Sequence, residues 1–184
     1  MRKAALREEI RARLSALPPA SAVALCGRLR ASEQWSAANS VLFFAPLADE
    51  PDVWPLVHEA LAAGKLVALP RYVSRARGYV ACQVKNLTGE MATGKFRIRE
   101  PLAACPEVPL DRLDLALVPG VAFDLHGRRL GRGQGFYDRL LTGYRGLKCG
   151  VALDEQIVAE VPAAEHDACM DFILTPTRWV KTAG

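Results

Sequence analysis

The spacing of apolar residues predicts helices in the first third of the chain. Near the start, apolar side chains recur every three or four positions, at Leu6, Ile10, Leu14 and Leu17. This period predicts an amphipathic helix over the first seventeen residues, ended by the two prolines that follow. A second helix is predicted over residues 20–35. The run DVWPLVHEALAAGK (52–65) predicts a third helix, with a glycine at its carboxyl end.

Short apolar runs predict the strands. They are SVLFFAP (40–46), KLVALPR (65–71), YVACQV (79–84), KFRIRE (95–100), LDLALVPG (113–120), KCGVAL (148–153) and DFILT (171–175). The run at 113–120 is apolar on both sides, which is typical of a strand covered on both faces. A loop is expected at VAFDLHGRR (121–129), and a short helix is expected over 136–141. Strands alternating with helices predict an α/β fold: a single-domain layered sandwich over residues 1–184, with a largely parallel central sheet flanked by helices.

Composition narrows the class of protein. The chain is 51% hydrophobic and 24% charged, with a net charge of +4, a globular balance that is too weakly basic to indicate nucleic acid. The first residues lack the apolar region of a signal peptide, and no run reaches the length of a membrane span. The five cysteines form no C-x-x-C pair, which argues against a zinc site or a disulfide framework, and Cys149 is expected to be buried. We therefore expect a cytoplasmic, monomeric protein without membrane or nucleic-acid partners.

The run RRLGRGQGFYDRLL (128–141) is the strongest chemical signal. Its three glycines permit positive φ and close backbone approach, so that successive N–H groups can point at one anion. The following helix and the arginines at 128, 129 and 132 add positive character. A carboxylate at Asp138 suits an anion site only with a cation between them, and Mg²⁺ is the natural choice. The pattern matches neither the dinucleotide fingerprint nor a Walker A loop, and a tight turn with solvated arginines would also explain it.

The longer string LVPGVAFDLHGRRLGRGQGFYDRLL (117–141) resembles the signature of the 5-formyltetrahydrofolate cyclo-ligase family. Further segments are similar to that family in the same order: KAALR, DEPDV, LVALPRY, FRIREP and QIVAEVPAAEHDACMDFILT. The resemblance implies a ligase that uses ATP and Mg²⁺ to convert 5-formyltetrahydrofolate into 5,10-methenyltetrahydrofolate, with release of ADP and phosphate. In the implied mechanism the formyl oxygen takes the γ-phosphoryl group, and N10 then attacks the activated carbon.

The resemblance also implies roles for residues. ATP binding is implied for Lys3, Arg7, Arg129, Gly131, Arg132, Gly133, Gln134, Gly135, Phe136 and Tyr137. Contacts with the folate are implied for Ala45, Glu50, Arg132, Gly133, Gln134, Gly135 and Phe136. Mg²⁺ ligands are implied at Asp138 and Asp167, and catalytic roles at Arg132, which would steady the transferring phosphoryl group, and at Tyr137. Phe136 stands where the family often has a second tyrosine, so a hydroxyl is missing here.

Several alternatives stay open on the residues alone. Lys3 and Arg7 would also suit a solvated helix face, and Asp167 would suit a cap. The aromatic residues Trp54, Tyr72 and Phe96 could cover a flat ring, although core packing is the commoner role. Other functions that fit are a sugar-phosphate isomerase-like enzyme without ATP, a non-catalytic folate or nucleotide binder, and a paralogue that acts on another N-formyl or amide substrate.

Overall fold

The computed structural model describes residues 2–15, 22–162, 164 and 167–183, without the side chain of Phe96. The helices are α1 (Lys3–Ser15), α2 (Ala22–Arg30), α3 (Glu33–Ala37), α4 (Trp54–Ala62) and α5 (Phe136–Leu140). The strands are β1 (Ser40–Leu42), β2 (Leu66–Val73), β3 (Gly78–Val84), β4 (Met91–Thr93), β5 (Arg99–Pro101), β6 (Leu115–Pro119), β7 (Ala122–Phe123), β8 (Arg129–Leu130), β9 (Leu147–Val151), β10 (Phe172–Leu174) and β11 (Trp179–Lys181). Short 3₁₀ turns cover Lys95–Arg97, Leu110–Arg112 and Asp154–Gln156.

A seven-stranded sheet with the order β11-β10-β9-β6-β1-β2-β3 forms the centre of the fold. The five inner strands run parallel, with Val41 of β1 opposite Val67 of β2 and Leu115 of β6. The two edge strands, β3 and β11, are antiparallel to their neighbours. Two small antiparallel pairs, β4–β5 and β7–β8, lie outside this sheet. The predicted α/β class with a largely parallel sheet is confirmed.

Alternate side chains of the inner strands point to opposite faces, and both faces are buried. One face packs against α2, α3 and α4, and Cys149 is buried there as expected. The other face packs against α5 and the β7–β8 hairpin. Helix α1 lies outside that hairpin, with Leu6 and Ile10 packed on Ala122 and Leu130. The amino end of α1 is thereby placed beside the glycine run that follows β8.

The predicted helix over residues 20–35 is wrong in its continuity. Ser32 accepts a hydrogen bond from the backbone N–H of Trp35 at 3.2 Å, which is a side-chain cap that starts α3 as a separate helix. Residues 16–21, which include the two prolines and the expected end of the first helix, lie outside the described part of the chain.

Three predictions about strands also need correction. In KFRIRE (95–100), the first half is a 3₁₀ turn and Arg97 has φ of +59°, so extended backbone begins only at Arg99. The expected loop over 121–129 contains strand β7 and begins β8. Strand β11 was not anticipated, because its three residues are only half-buried or exposed. The ring of Trp179 stacks on Phe172 at 5.1 Å and holds β11 against β10.

Candidate active site

A cleft of about 640 Å³ opens at the carboxyl edge of the parallel strands. Its floor includes Ala45 beyond β1, Pro70 in β2 and Pro119 at the end of β6, and its walls come from α1, α5 and the glycine run. Carboxyl ends of parallel strands meet at one edge of a sheet, and ligands of open α/β sheets bind there.

The glycine run connects β8 to α5 along one wall of the cleft. Gly133 has φ of +100° and Gly135 has φ of +62°, conformations that side chains with a Cβ adopt only with strain. Within the described ranges, the backbone N–H groups of Gly133, Gln134 and Gly135 donate no hydrogen bond. These donors are therefore available to a ligand.

Arg139 braces this loop, a role that sequence analysis did not identify. Its guanidinium donates to the carbonyl of Gln134 at 3.0 Å and to that of Arg77 at 3.2 Å. Arg77 lies in the turn between β2 and β3, so the contact ties the glycine run to the rim of the sheet. Arginine is common on helix surfaces, and its sequence position alone carries no signal for this contact.

Helix α1 supplies two cations to the cleft. Lys3 Nζ lies 2.6 Å from Asp167 Oδ2, and Arg7 Nε donates to the carbonyl of Gly131 at 2.8 Å. Asp167 Oδ2 also accepts the backbone N–H of Ala164 at 2.7 Å. Lys3 and Arg7 therefore connect α1 both to the segment around Asp167 and to the glycine run.

Arg129 and Asp138 form a second ion pair, which is more deeply buried. The Arg129 side chain is 4% exposed, and its Nη2 lies 2.6 Å from Asp138 Oδ1. Its Nη1 donates to the carbonyl of Pro119, while its buried Nε has no hydrogen-bond partner among the described residues. Asp138 Oδ1 also lies 3.5 Å from the backbone N of Ala168, the neighbour of Asp167. Both carboxylates proposed as metal ligands therefore lie at the same end of the cleft, each beside a basic partner.

Glu50 and Arg132 meet at the other end. The Glu50 side chain is 7% exposed, and its Oε1 lies 3.2 Å from Arg132 Nη2, which also contacts Asp49 Oδ1 at 2.6 Å. Glu50 Oε2 accepts the backbone N–H of Leu47 at 3.0 Å. Burial raises the pKa of Glu50, whereas the Leu47 N–H and the Arg132 guanidinium oppose that rise. A buried carboxylate acceptor with a partly exposed arginine beside it suits a ligand that carries N–H donors.

An aromatic cluster covers the cleft beside Glu50. The ring of Tyr79 lies 5.1 Å from Phe136 and 6.2 Å from Tyr137, and Tyr72 lies 5.8 Å from Phe136. Phe136 therefore keeps a packing role in the absence of a hydroxyl. Burial raises the pKa of Tyr137 well above its ordinary value, so the Tyr137 hydroxyl stays protonated at neutral pH.

Other residues singled out in the sequence have different roles. Arg128, expected near the anion, pairs with Glu160 at 2.9 Å instead. Trp54 packs against the hydrophobic core on the side of the sheet that α4 covers, with Arg99 above its ring at 4.8 Å. The side chain of Phe96 lies outside the described part of the chain. Tyr79, Leu47 and Ile98 line the cleft without having been anticipated, because each lies in an apolar or turn segment that resembles ordinary core or loop.

Across the described ranges, no helix combines the length and the apolar character that a membrane crossing requires. A parallel α/β sheet with a charged cleft at its carboxyl edge defines the chain as an α/β enzyme by class. The model of the 5-formyltetrahydrofolate cyclo-ligase family matches residues 1–176, and the chain belongs to this family.

Named relatives agree with this assignment. The chain is 35% identical to the 5-formyltetrahydrofolate cyclo-ligase of Escherichia coli K12 over 145 residues, which cover 77% of this chain and 80% of that protein. It is 27% identical to the Mus musculus protein of the same name, over 94% of this chain and 92% of that one. Among solved structures, 5,10-methenyltetrahydrofolate synthetase of Aquifex aeolicus superposes with a TM-score of 0.88 at 29% identity, over 100% of this chain and 94% of that one. Family and relatives together support cyclo-ligase activity.

Proposed function

We propose that the chain converts 5-formyltetrahydrofolate into 5,10-methenyltetrahydrofolate, consuming ATP with Mg²⁺ and releasing ADP and phosphate. One observation supports this most strongly. A single cleft joins an end rich in cations and free backbone N–H groups to an end where a buried carboxylate, Glu50, pairs with Arg132 of the glycine run. The first end suits a triphosphate, and the second suits a heterocycle with N–H donors.

The triphosphate end is built from α1 and the glycine run. Lys3 and Arg7 lie on one side of the helix, and Arg7 contacts the loop at Gly131. The free N–H groups of the loop lie close to these cations, which together neutralise a polyanion. Arg129 is buried beneath them and holds Asp138 in place.

Asp138 and Asp167 fit Mg²⁺ by the chemistry of their donor atoms. Mg²⁺ usually takes one or two carboxylates together with phosphate oxygens and waters. Within the described residues, no group of three or more acidic, histidine or cysteine side chains forms a complete metal cage. Two carboxylates beside a phosphate-binding loop therefore match a metal that arrives with its nucleotide. Bound there, Mg²⁺ would withdraw charge from the phosphate oxygens.

The folate end is built around Glu50. Its carboxylate can accept hydrogen bonds from the amino group and ring N–H of a pterin, and the small side chain of Ala45 leaves room for a flat ring. Arg132 is 43% exposed and contacts Glu50 and Asp49 from the loop side, so it can turn toward a phosphoryl group without breaking the fold.

The residues then act on a poor electrophile. Nitrogen donates into the carbonyl of an N-formyl group, and oxide is a bad leaving group. Transfer of the γ-phosphoryl group to the formyl oxygen removes both obstacles. Attack by N10 closes the ring, N10 loses its proton, and phosphate leaves with the former formyl oxygen. Arg132 stabilises the phosphoryl charge during transfer, and the protonated hydroxyl of Tyr137 serves as a hydrogen-bond donor nearby.

A near-ultraviolet absorbance time course tests this proposal. Purified protein is mixed with 5-formyltetrahydrofolate, ATP and Mg²⁺, and matched reactions omit each component in turn. We expect a rise from the conjugated methenyl product only when all three are present. ATP binding without this rise would contradict the proposed acceptor and indicate a different substrate.

We expect Gly133→Ala to weaken ATP binding at least about tenfold. A Cβ at φ of +100° is strained by roughly 1–3 kcal/mol, so the loop should move and misdirect its N–H groups. Isothermal titration calorimetry would measure the ATP dissociation constant. Gly27→Ala is the matched control, because Gly27 lies in α2 at negative φ with open space around its Cβ position. ATP affinity that is unchanged in Gly133→Ala would contradict the assignment of the loop.

We expect Glu50→Gln to raise the dissociation constant for 5-formyltetrahydrofolate about 10–100-fold, the range for a lost hydrogen bond to a charged group. The ATP dissociation constant should change little, because Glu50 lies at the other end of the cleft. Calorimetric titrations with each ligand would measure both. Equal losses for ATP and folate would contradict this division of the cleft.

The stability of the same variant relative to wild type should also depend on pH. The pKa of Glu50 in the folded state is raised above its ordinary 4.5, so the folded state binds this proton more tightly than the unfolded state. The contribution of Glu50 to wild-type stability therefore falls as pH rises from 4.5 through the folded pKa. Glutamine does not titrate, so the stability of Glu50→Gln relative to wild type should increase over that window. Urea denaturation across the window measures the difference, and a relative stability that falls with rising pH would contradict it.

A further inference from the structure

Tyr79 lines the cleft with a ring held by packing, and the proposed function gives this residue no role. It lies at the start of β3, opposite Tyr72 in β2, and lines the cleft with Glu50. Its ring contacts Phe136 at 5.1 Å, Tyr72 at 6.1 Å and Tyr137 at 6.2 Å. Contacts on three sides restrict the ring, so the position of its hydroxyl is set by packing rather than by a hydrogen bond.

The Tyr79 hydroxyl has no hydrogen-bond partner among the described residues. The two oxygens of Glu50 are already engaged by Arg132 and by the backbone N–H of Leu47. Burial raises the pKa of Tyr79 to about 12, and the nearby carboxylates of Glu100 and Glu50 act in the same direction. The hydroxyl is therefore a protonated donor at neutral pH and lies in the same part of the cleft as an acceptor-only carboxylate.

We propose that Tyr79 determines specificity at the folate end, by donating a hydrogen bond to the ring carbonyl of a cyclic amide whose N–H is accepted by Glu50. The inference rests on the proposed function. A cyclic amide presents an N–H beside a C=O, and a carboxylate next to a phenol presents the complementary acceptor and donor. In a ring that carries an amino group in place of the carbonyl, the adjacent ring nitrogen carries no hydrogen, so both the N–H for Glu50 and the acceptor for the Tyr79 hydroxyl are lost.

The effect should be visible as a change in preference between two ligands. One is 5-formyltetrahydrofolate, which carries the ring carbonyl, and the other is its 4-amino counterpart, in which an amino group replaces that oxygen. We expect wild type to prefer the oxo ligand at least about tenfold, since the 4-amino ring offers neither the N–H that Glu50 accepts nor an acceptor for the Tyr79 hydroxyl.

Tyr79→Phe keeps the ring packing and removes only the hydroxyl. Calorimetry should show binding of the oxo ligand about tenfold weaker, binding of the 4-amino ligand unchanged or tighter, and an unchanged ATP dissociation constant. Tyr144→Phe is the matched control, because Tyr144 is buried against α5 and its hydroxyl donates to the carbonyl of Leu147 at 3.4 Å. Circular dichroism confirms that both variants are folded.

The outcomes separate this inference from the function on which it rests. Equal weakening of both ligands, or no change in either, would overturn the role of Tyr79 while wild-type turnover of 5-formyltetrahydrofolate upholds the proposed function. Failure of wild type to bind or convert that substrate would overturn both.

Discussion

Replacing Arg132 by alanine is expected to lower kcat about 1000-fold, the scale at which an arginine stabilises a transferring phosphoryl group. The substitution removes the positive charge that the glycine run places beside Glu50. The Arg132 side chain is 43% exposed and its pair with Asp49 lies near the surface, so that contact stabilises the fold little. Glu50 is only 7% exposed and loses a charged partner, so some stability should be lost as well, and kcat is therefore compared at equal concentrations of folded protein.

Single-turnover kinetics with saturating ATP and folate would measure this loss. Arg132→Lys should restore only a small part of the rate, because a lysine cannot present two parallel N–H donors. Arg145→Ala is the matched control, since Arg145 is an exposed arginine between α5 and β9. A variant that loses less than about tenfold in kcat would exclude Arg132 from phosphoryl transfer.

Replacing Asp138 by asparagine is expected to reduce turnover at limiting Mg²⁺ by about 100-fold or more. Mutation of a residue that only supports a metal ligand typically costs about 10–100-fold, and loss of a direct ligand should cost at least as much. The side-chain oxygen of asparagine can still accept a hydrogen bond from Arg129, so the arrangement of residues around α5 should survive. The Arg129 guanidinium nevertheless loses its counter-charge in a buried site, which should cost about 1–3 kcal/mol of stability.

A titration of the initial rate with Mg²⁺ distinguishes a metal ligand from a purely structural partner of Arg129. A ligand role predicts that high Mg²⁺ restores part of the activity and that the affinity for Mg²⁺ in the presence of ATP falls. Asp171→Asn is the control, because Asp171 also pairs with a cation, Lys148 at 3.1 Å, but at the start of β10. A deficit that does not depend on Mg²⁺ concentration would show that Asp138 acts only through Arg129.

Much of the architecture follows from local patterns. The period of Leu6, Ile10 and Leu14 predicts α1, and the continuous apolar run over 113–120 predicts the buried central strand β6. The errors fall where a local detail overrides the pattern. The Ser32 cap divides one predicted helix into two, and the positive φ of Arg97 shortens a predicted strand. Strand β11 was missed because three residues on a sheet edge carry too little hydrophobic periodicity.

The candidate site likewise contains residues that the sequence identified and residues that only the structure revealed. The glycine run, its arginines and Asp138 are neighbours in the chain, and their chemistry could be identified from the sequence. Tyr79 and Arg139 could not, because a tyrosine in an apolar strand and an arginine on a helix are ordinary residues until their neighbours are known. The partner of Arg132 is another example, since Asp49 and Glu50 lie 83 and 82 residues away in the chain.

The sequence by itself determined the class of fold, the flexible backbone of the glycine run and the presence of a cationic loop next to a carboxylate. These depend on side-chain periodicity and on the absence of Cβ atoms, which act over a few residues. Tertiary structure alone decided which charges meet, as when Lys3 reaches Asp167 across 164 positions of the chain. Such pairs arise from the packing of α1 on the β7–β8 hairpin and from the crossover connections between parallel strands. These connections bring distant residues to one edge of the sheet.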